Sequence, residues 1–504
     1  NSLKFFLDKI ISNFFIFELI KSFYLILFYK LVKNKFLMKK LLYTILLCGI
    51  VTNSVAQLPV DLFVNDPLLK NANVGLVVKD LKTNKILYSY QPNKCFVPAS
   101  VLKLVTTATA LELLGPDFRF QTQLEIDGNL SADSVLNGNL FIRGGGDPTL
   151  GSSALNNGNF LDQWLKIVQQ KGIKKINGQV IADASLYDNE GVSPFWLWED
   201  IGNYYAAAVY GISYLDNTFQ LVLQSGPVGT TPKIVRVIPP LPDLIIENYL
   251  KSTLIGFDSA YFYGMPYSNV RRLYGEIPAN RSSFVVKGDI PNPVLLLAQH
   301  FTEQLNKNGI SVTQDATDQV PSSRNRTVIY TYYSPPLKEI IAEINKNSNN
   351  HYAEQLFRYL ALQNEKVATN SGAIKVITNF WESKGLDVNQ LFLYDGSGLS
   401  PMNAVSAQFI TDLLTYMFHQ SKYKTDFIHS LAVSGNQGTL KSFLTYTPLE
   451  GKVYAKSGNI ARVKSYAGYM EKEDRIYAFT ILVNNIRNSK AVQHRIEKFL
   501  LSIQ

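Results

Sequence analysis

The stretch Pro98-Ala-Ser100-Val-Leu-Lys103-Leu-Val-Thr-Thr-Ala-Thr-Ala-Leu-Glu-Leu-Leu114, closed by Gly115-Pro116, sets the fold of this chain. It predicts a helix over residues 101–114, because the glycine and proline that follow cannot continue one. Ahead of it, residues 74–78 and 85–90 are β-rich runs on either side of Asp80-Leu-Lys-Thr-Asn84, the pattern of a hairpin. Behind it the texture changes. From about Phe118 to Thr327 short alternating runs (residues 121–126, 140–142 and 178–181) sit among turns rich in glycine and proline. Residues 284–286 and the amphipathic run 293–308 continue this region. Helical periodicity returns at residues 337–345, 352–362, 373–384 and 406–418. Strands at 452–455, 465–471 and 476–483 and a helix from Ser489 finish the chain. The expected class is α/β in the α+β sense. One domain, residues 57–118 and 325–504, is split by a large β-rich insertion of one or two modules at residues 119–324.

The 504 residues, 46% of them hydrophobic, suffice for a sizeable core. The formal charge of +9 would suggest a nucleic-acid partner, but its location argues otherwise. Eight lysines lie in residues 1–56 against Asp8 and Glu18, which leaves residues 57–504 with a net charge of only +3. No dense basic patch remains to grip phosphates, so no nucleic acid is expected.

From Met38 a charged start, a short apolar run and the small residues Ser54 and Ala56 make a secretory signal, residues 38–56, cleaved after Ala56. Leu47 is too bulky for Cys48 to mark a lipoprotein. The apolar run is too short to span a bilayer, and the protein is expected in the periplasm. The leader leaves room for a loose association with membrane or wall. Residues 1–37 begin with Asn1, and 31 of them are Phe, Leu, Ile, Lys, Asn or Tyr. That is the composition of translated AT-rich upstream DNA, and synthesis is expected to begin at Met38. A membrane anchor at residues 14–32 is the rival, interrupted by Glu18, Lys21 and Lys30. With Cys48 in the signal, Cys95 stands alone as a buried, inert thiol, and neither a disulfide framework nor a metal site is expected.

Three short motifs carry candidate chemistry. Ser100 and Lys103 put a hydroxyl and an amine on one face at a helix start. A serine becomes nucleophilic when a neighbouring base takes its proton, and Lys103 is such a base only when neutral. Ser348-Asn-Asn350 supplies a second hydroxyl and an amide before a helix. Lys456-Ser457-Gly458 follows a strand, where a cation and a hydroxyl can sit on an edge and the glycine lets a ligand backbone lie close. Singly the first two are weak: Ser421 with Lys424 repeats one spacing, and Ser323 with Asn325 and Ser434 with Asn436 repeat the other.

Their order and context resemble the motif set of serine penicillin-binding proteins and β-lactamases. The sequence further resembles the class C low-molecular-mass penicillin-binding proteins, the S13 family of D-alanyl-D-alanine carboxypeptidases and endopeptidases. The stretches that carry this are Pro98-Ala-Ser100, Arg143-Gly-Gly-Gly-Asp147-Pro-Thr-Leu150, Pro194-Phe-Trp196-Leu-Trp198-Glu-Asp200, Asp395-Gly-Ser-Gly-Leu-Ser400 and Gly435-Asn-Gln-Gly-Thr-Leu440. They span nearly all of residues 60–490. The family too interrupts its transpeptidase-like domain between the first two motifs, and here 248 positions separate Ser100 from Ser348. Ser457 stands where the family usually has threonine, and the hydroxyl is kept.

The resemblance implies a penicillin-binding, β-lactamase-like transpeptidase fold and an acyl-enzyme on Ser100, with Lys103 as base. It implies that Ser348 passes a proton to the leaving D-alanine and Asn350 holds the acyl side. Lys456 and Ser457 would bind the terminal carboxylate of a peptidoglycan stem peptide ending in D-Ala-D-Ala, or that of a β-lactam. Lys456 would also help keep Lys103 neutral by repulsion. The N–H groups of Ser100 and Asn459 would form the oxyanion hole. Asp183 matches, loosely, an acidic position of the inserted domain near a pocket for a diaminopimelate amine, and a structural acid fits it equally. No cofactor is implied. A catalytically silent wall-binding protein of the same fold, or a β-lactamase, would carry the same motifs.

Other features read blandly. His300, His351, His419, His429 and His494 have no ligand spacing, and Gly144-Gly-Gly146 reads as a turn, since the Lys-Ser/Thr of a phosphate loop is lacking. Tyr204, Tyr205, Trp196 and Trp198 read as core packing in preference to a stacking platform.

Overall fold

A computed structural model describes residues 58–155, 159–321 and 325–503, together with Lys39. The expected upstream extension and signal otherwise lie outside the described residues, as does Ser323. The chain divides into two units, Asn1–Leu62 and Phe63–Gln504, and the three motifs all belong to the second.

β1 (Asn73–Asp80) and β2 (Lys85–Tyr90) form the expected antiparallel hairpin. A 3-10 turn, Ala99–Leu102, then leads into α1 (Lys103–Leu114). The helix therefore starts two residues later than expected, and Ser100 lies on the turn before it. Every residue of α1 from Lys103 to Leu111 is buried. Its composition permits this: apolar side chains point in all directions, and the hydroxyls of Thr107 and Thr109 close on the carbonyls of Lys103 (2.8 Å) and Val105 (2.7 Å). A helix with no polar face belongs inside a fold.

The chain next builds a separate apolar core from β3 (Gln121–Ile126), β4 (Leu140–Arg143), α2 (Phe160–Gln170) and β5 (Val180–Asp183), followed by β6 (Ile245–Asn248), β7 (Tyr261–Gly264), β8 (Val270–Tyr274), α3 (Pro293–Lys307) and β9 (Thr327–Tyr333). Two of its sheets run β9-β3-β4-β5 and β6-β8-β7, and a third joins Lys233–Ile238, Thr218–Gln224 and Phe284–Asp289. Helix α2, which buries Phe160, Trp164, Leu165 and Val168, was not expected from the sequence.

Helices α4 (Leu337–Asn347), α5 (Asn350–Leu360), α6 (Asn370–Ser383) and α7 (Ala407–His419) then pack around α1. β10 (Ala432–Val433), β11 (Val453–Ile460), β12 (Val463–Lys472) and β13 (Arg475–Asn484), followed by α8 (Ser489–Ser502), complete the chain. The principal sheet runs β2-β1-β13-β12-β11-β10, antiparallel throughout. β11 extends five residues past its expected end, so Lys456-Ser457-Gly458 lies within a strand and not after one. β10 pairs only with Tyr454 and Ala455, which leaves Lys456–Ile460 on the rim of the sheet. Among the described residues no helix is long and apolar enough to cross a membrane.

Candidate active site

The turn carrying Ser100 is pinned residue by residue. Asn484, at the end of β13, accepts from the Val97 N–H (2.9 Å) and donates to the Val97 carbonyl (3.0 Å). Ser465 on β12 donates to the Pro98 carbonyl at 2.6 Å. Ala99 has φ +47°, a conformation costly for a residue with a side chain, and two glycines let its neighbours close on it. A Cβ on Gly398 would stand 2.0 Å from the Ala99 carbonyl oxygen. One on Gly458 would meet Ser465 Oγ at 2.1 Å and the Pro98 carbonyl oxygen at 2.6 Å. The face on which Gly458 lacks a side chain is thus filled by the nucleophile's own turn, a different use from the ligand approach expected of it.

Lys103, fully buried, places its Nζ 2.9 Å from Ser100 Oγ, 2.7 Å from Asn350 Oδ1 and 2.7 Å from the Ser397 carbonyl oxygen. The last two atoms can only accept. A neutral amine has two N–H groups and one lone pair. With both N–H groups given to Asn350 and Ser397, the lone pair faces the one partner able to donate, the Ser100 hydroxyl. Burial lowers the Lys103 pKa to about 7, against the opposing pull of the Glu354 and Asp395 carboxylates. Those two are themselves buried and pushed up, Glu354 to about 8, by burial first and then by the charge of Asp395. Like charges confined together do not both ionise readily, which limits the negative charge that would keep Lys103 protonated.

Helices α4 and α5 are joined through Ser348, which is left-handed (φ 62°, ψ 35°), and Asn349, whose side chain caps α5 by accepting from the Tyr352 N–H. This tight joint sets Ser348 and Asn350 two residues apart on the cleft. Lys456 Nζ donates to Ser348 Oγ (2.9 Å) and to the Ser457 carbonyl (2.7 Å). Burial, then the charges of Lys103 and Lys464, push Lys456 well below the ordinary lysine range. Asn350 in turn donates to the Tyr205 carbonyl at 2.8 Å.

Ser100, Lys103, Ser348, Asn350, Lys456, Ser457 and Gly458 thus come together. Asn459, next on the rim, is exposed and accepts from Ser489 at 2.5 Å. Asp183 is engaged elsewhere. It accepts from Arg326 Nη1 at 2.6 Å and from the Ser185 N–H at 3.0 Å, and these contacts lower its pKa against the opposing effect of burial. The repeated spacings stay apart from the cluster, with Ser421 bonded to Glu112 and Ser434 to the Leu449 carbonyl. Cys95 is half-buried rather than buried, and desolvation raises its thiol pKa. Trp196 is buried as expected, but Trp198 and Tyr204 are exposed, contrary to a core role.

Sequence reasoning assigned no role to Glu354 or Asp395. Glu354 accepts from the N–H groups of Gly396 (3.0 Å) and Ser397 (2.7 Å), which orients the Ser397 carbonyl toward Lys103. Asp395 accepts from Gly398 (2.8 Å), Ser400 (2.6 Å), Asn403 (2.8 Å) and Trp196 Nε1 (2.9 Å). A signal for Glu354 existed: it lies four residues after Asn350, on the same helix face.

What the fold and this cluster define is a serine peptidase of the penicillin-binding type. The chain belongs to the D-Ala-D-Ala carboxypeptidase 3 (S13) family, whose profile matches residues 56–503. It is 28% identical over 410 residues to the D-alanyl-D-alanine carboxypeptidase of Actinomadura sp. (strain R39), covering 79% of this chain and 75% of that protein. Its fold is that of penicillin binding protein 4 from Haemophilus influenzae. The crystal structure of that protein superposes with a TM-score of 0.76 at 23% identity, over 86% of this chain and 96% of that one. A second crystal structure of it, complexed with a novel β-lactam, gives a TM-score of 0.70 at 22% identity over the same shares.

Proposed function

We propose that the protein is a periplasmic serine D-alanyl-D-alanine carboxypeptidase and endopeptidase acting on peptidoglycan stem peptides and cross-links, and acylated by β-lactams. One observation carries this: the Lys103 amine stands 2.9 Å from Ser100 Oγ with two obligate acceptors beside it at 2.7 Å. Neutral Lys103 takes the Ser100 proton as Oγ attacks the carbonyl carbon between the terminal D-alanines. The N–H groups of Ser100 and Asn459 hold the oxyanion, a contribution of about 10²–10³ in rate per donor. Ser348 delivers a proton to the leaving amine while Lys456 and Ser457 hold its carboxylate, and Asn350 holds the acyl side. Water then hydrolyses the ester on Ser100. The relatives' names and the β-lactam complex support this reading. Two apolar cores support the division into catalytic segments, residues 57–118 and 325–504, and an insertion, 119–324: one spans Val77–Phe120 and Leu337–Leu482 with Tyr187 packed in, and the other Leu124–Tyr332. Export through residues 38–56 belongs to the same reading. Asp183, held by Arg326, is assigned a structural place.

Labelling with a fluorescent penicillin, beside Ser100→Ala, tests it. Persistent labelling lost only in the mutant is the expected result. Rapid loss of label from the native protein would mean a β-lactamase, and no labelling with no D-alanine release would mean a silent wall-binding protein. Analysis of released D-alanine and of cross-linked muropeptides separates the two peptidase activities.

A further inference from the structure

The sheet β6-β8-β7 has one face in the core, through Phe262, Arg271 and Leu273. Its outer face, where polar side chains would be ordinary, instead carries a set of rings. Tyr261 and Tyr263 alternate with buried Phe262 on β7, and Tyr274 lies opposite Tyr261 in register. Tyr274 is stacked between Tyr249 (centroids 4.9 Å apart, 15°) and Tyr261 (6.0 Å, 19°). Tyr263 meets both Tyr261 and Tyr274 edge-on, and Trp198 lies flat on Tyr263 at 4.3 Å and 11°. Trp198 remains 66% and Tyr249 51% exposed. The two ends of the stack are therefore open to solvent, and exposed aromatic surface of this kind can take a ligand.

This face is joined to the cleft by residues 194–206. Near the start of that segment Trp196 donates to Asp395, and near its end the Tyr205 carbonyl accepts from Asn350. Two residues from Tyr205, Asn203 exchanges hydrogen bonds with the backbone of Phe262 on β7, donating at 3.0 Å and accepting at 2.9 Å. One short strap thus touches both an amide of the cleft and a strand of the ring-bearing sheet.

We infer that Trp198, Tyr249, Tyr261, Tyr263 and Tyr274 form a stacking platform for the strand of N-acetylated amino sugars from which the peptide substrate hangs. The inference rests on the peptidase reading above. Pyranose rings present a face of C–H groups that lies flat on aromatic rings, and a periphery of hydroxyls that needs polar partners. Here the stack is edged by tyrosine hydroxyls and by the solvent-facing pair Glu247–Arg272 (2.8 Å). An anionic lipid surface would call for uncompensated cations, and the dry centre of a protein interface for a patch cleared of charge. The balanced pair fits neither. A peptide seated in the cleft brings its sugar strand with it.

The test uses the whole chain and peptide-free glycan strands, with N-acetylglucosamine oligomers as a second probe. The native protein is expected to bind both, with a change in tryptophan fluorescence. Trp198→Ala with Tyr249→Ala is expected to weaken binding about ten-fold or more, while Trp198→Phe keeps most of it. Penicillin acylation and D-alanine release from a soluble, sugar-free pentapeptide should be unchanged in all variants, which shows that each is folded. Release from intact sacculi should fall in the alanine variant. Absence of glycan binding by the native protein, or equal binding by the alanine variant, overturns the platform and leaves the peptidase intact. Loss of D-alanine release and labelling in the native protein would instead overturn the peptidase reading.

Discussion

Gly398 lies so close to Ala99 that a methyl group on it would stand 2.0 Å from the Ala99 carbonyl oxygen. The nucleophile's turn is therefore held by contact from the Asp395–Ser400 segment, far along the chain. Gly398→Ala is expected to destabilise the protein by about 1–3 kcal/mol through overpacking and to slow penicillin acylation by about ten-fold or more through misplacement of Ser100. Gly309→Ala is the control. It has a similar positive φ with nothing within 4 Å, so its acylation rate should match the native protein while denaturant unfolding reports any backbone cost.

Acylation should follow the titration of Lys103. The amine accepts a proton only when neutral, and burial brings its pKa down to about 7. Below that pH the competent fraction falls ten-fold per unit; above it the rate levels off. Stopped-flow acylation by a penicillin is expected to give this single-sided profile, and a pH-independent rate would exclude Lys103 as the base.

Asn350→Asp would place a carboxylate where the amide oxygen now sits, 2.7 Å from Lys103 Nζ. An adjacent opposite charge raises an amine's pKa by about 1–3 units, so the midpoint of the profile should move to higher pH by that amount. Acylation at neutral pH should drop about five-fold or more and recover as the pH is raised. Unchanged midpoint with reduced rate throughout would assign Asn350 to substrate binding alone.

Lys456 is held well below the ordinary lysine range by burial and by Lys103 and Lys464. A carboxylate docking on it would favour its charged form, so binding should be accompanied by proton uptake. Calorimetry of penicillin binding to Ser100→Ala in buffers of different ionisation enthalpy measures this. No buffer dependence would mean that Lys456 is already charged in the empty cleft.

The three motifs were legible because each is local: Ser100 and Lys103 share a turn, and Ser348 and Asn350 share a helix start. Their convergence is not local. It depends on Asn484 and Ser465 gripping Val97 and Pro98, contacts that no spacing announces. The left-handed Ala99 was invisible because an alanine gives no sign of its φ. Glu354 was readable from its place after Asn350, but its coupling to Asp395 was not. Trp198 and Tyr204 were misread for the opposite reason: ring chemistry suggests burial, and only the folded chain shows that both are exposed. Helix α2 carried a readable Phe160, Trp164, Val168 spacing, obscured by the Gly- and Asn-rich residues before it.

β1 is paired with a strand far along the chain: Asn73 stands opposite Asn484 on β13. Early in synthesis the hairpin and α1 exist without β11–β13, hence without Lys456, the rim or the clasp on Val97. A ribosome must release the residues through Asn484 before a competent cleft can assemble, and pairings between such distant segments form slowly. Any truncation short of Asn484 should therefore yield an inert product.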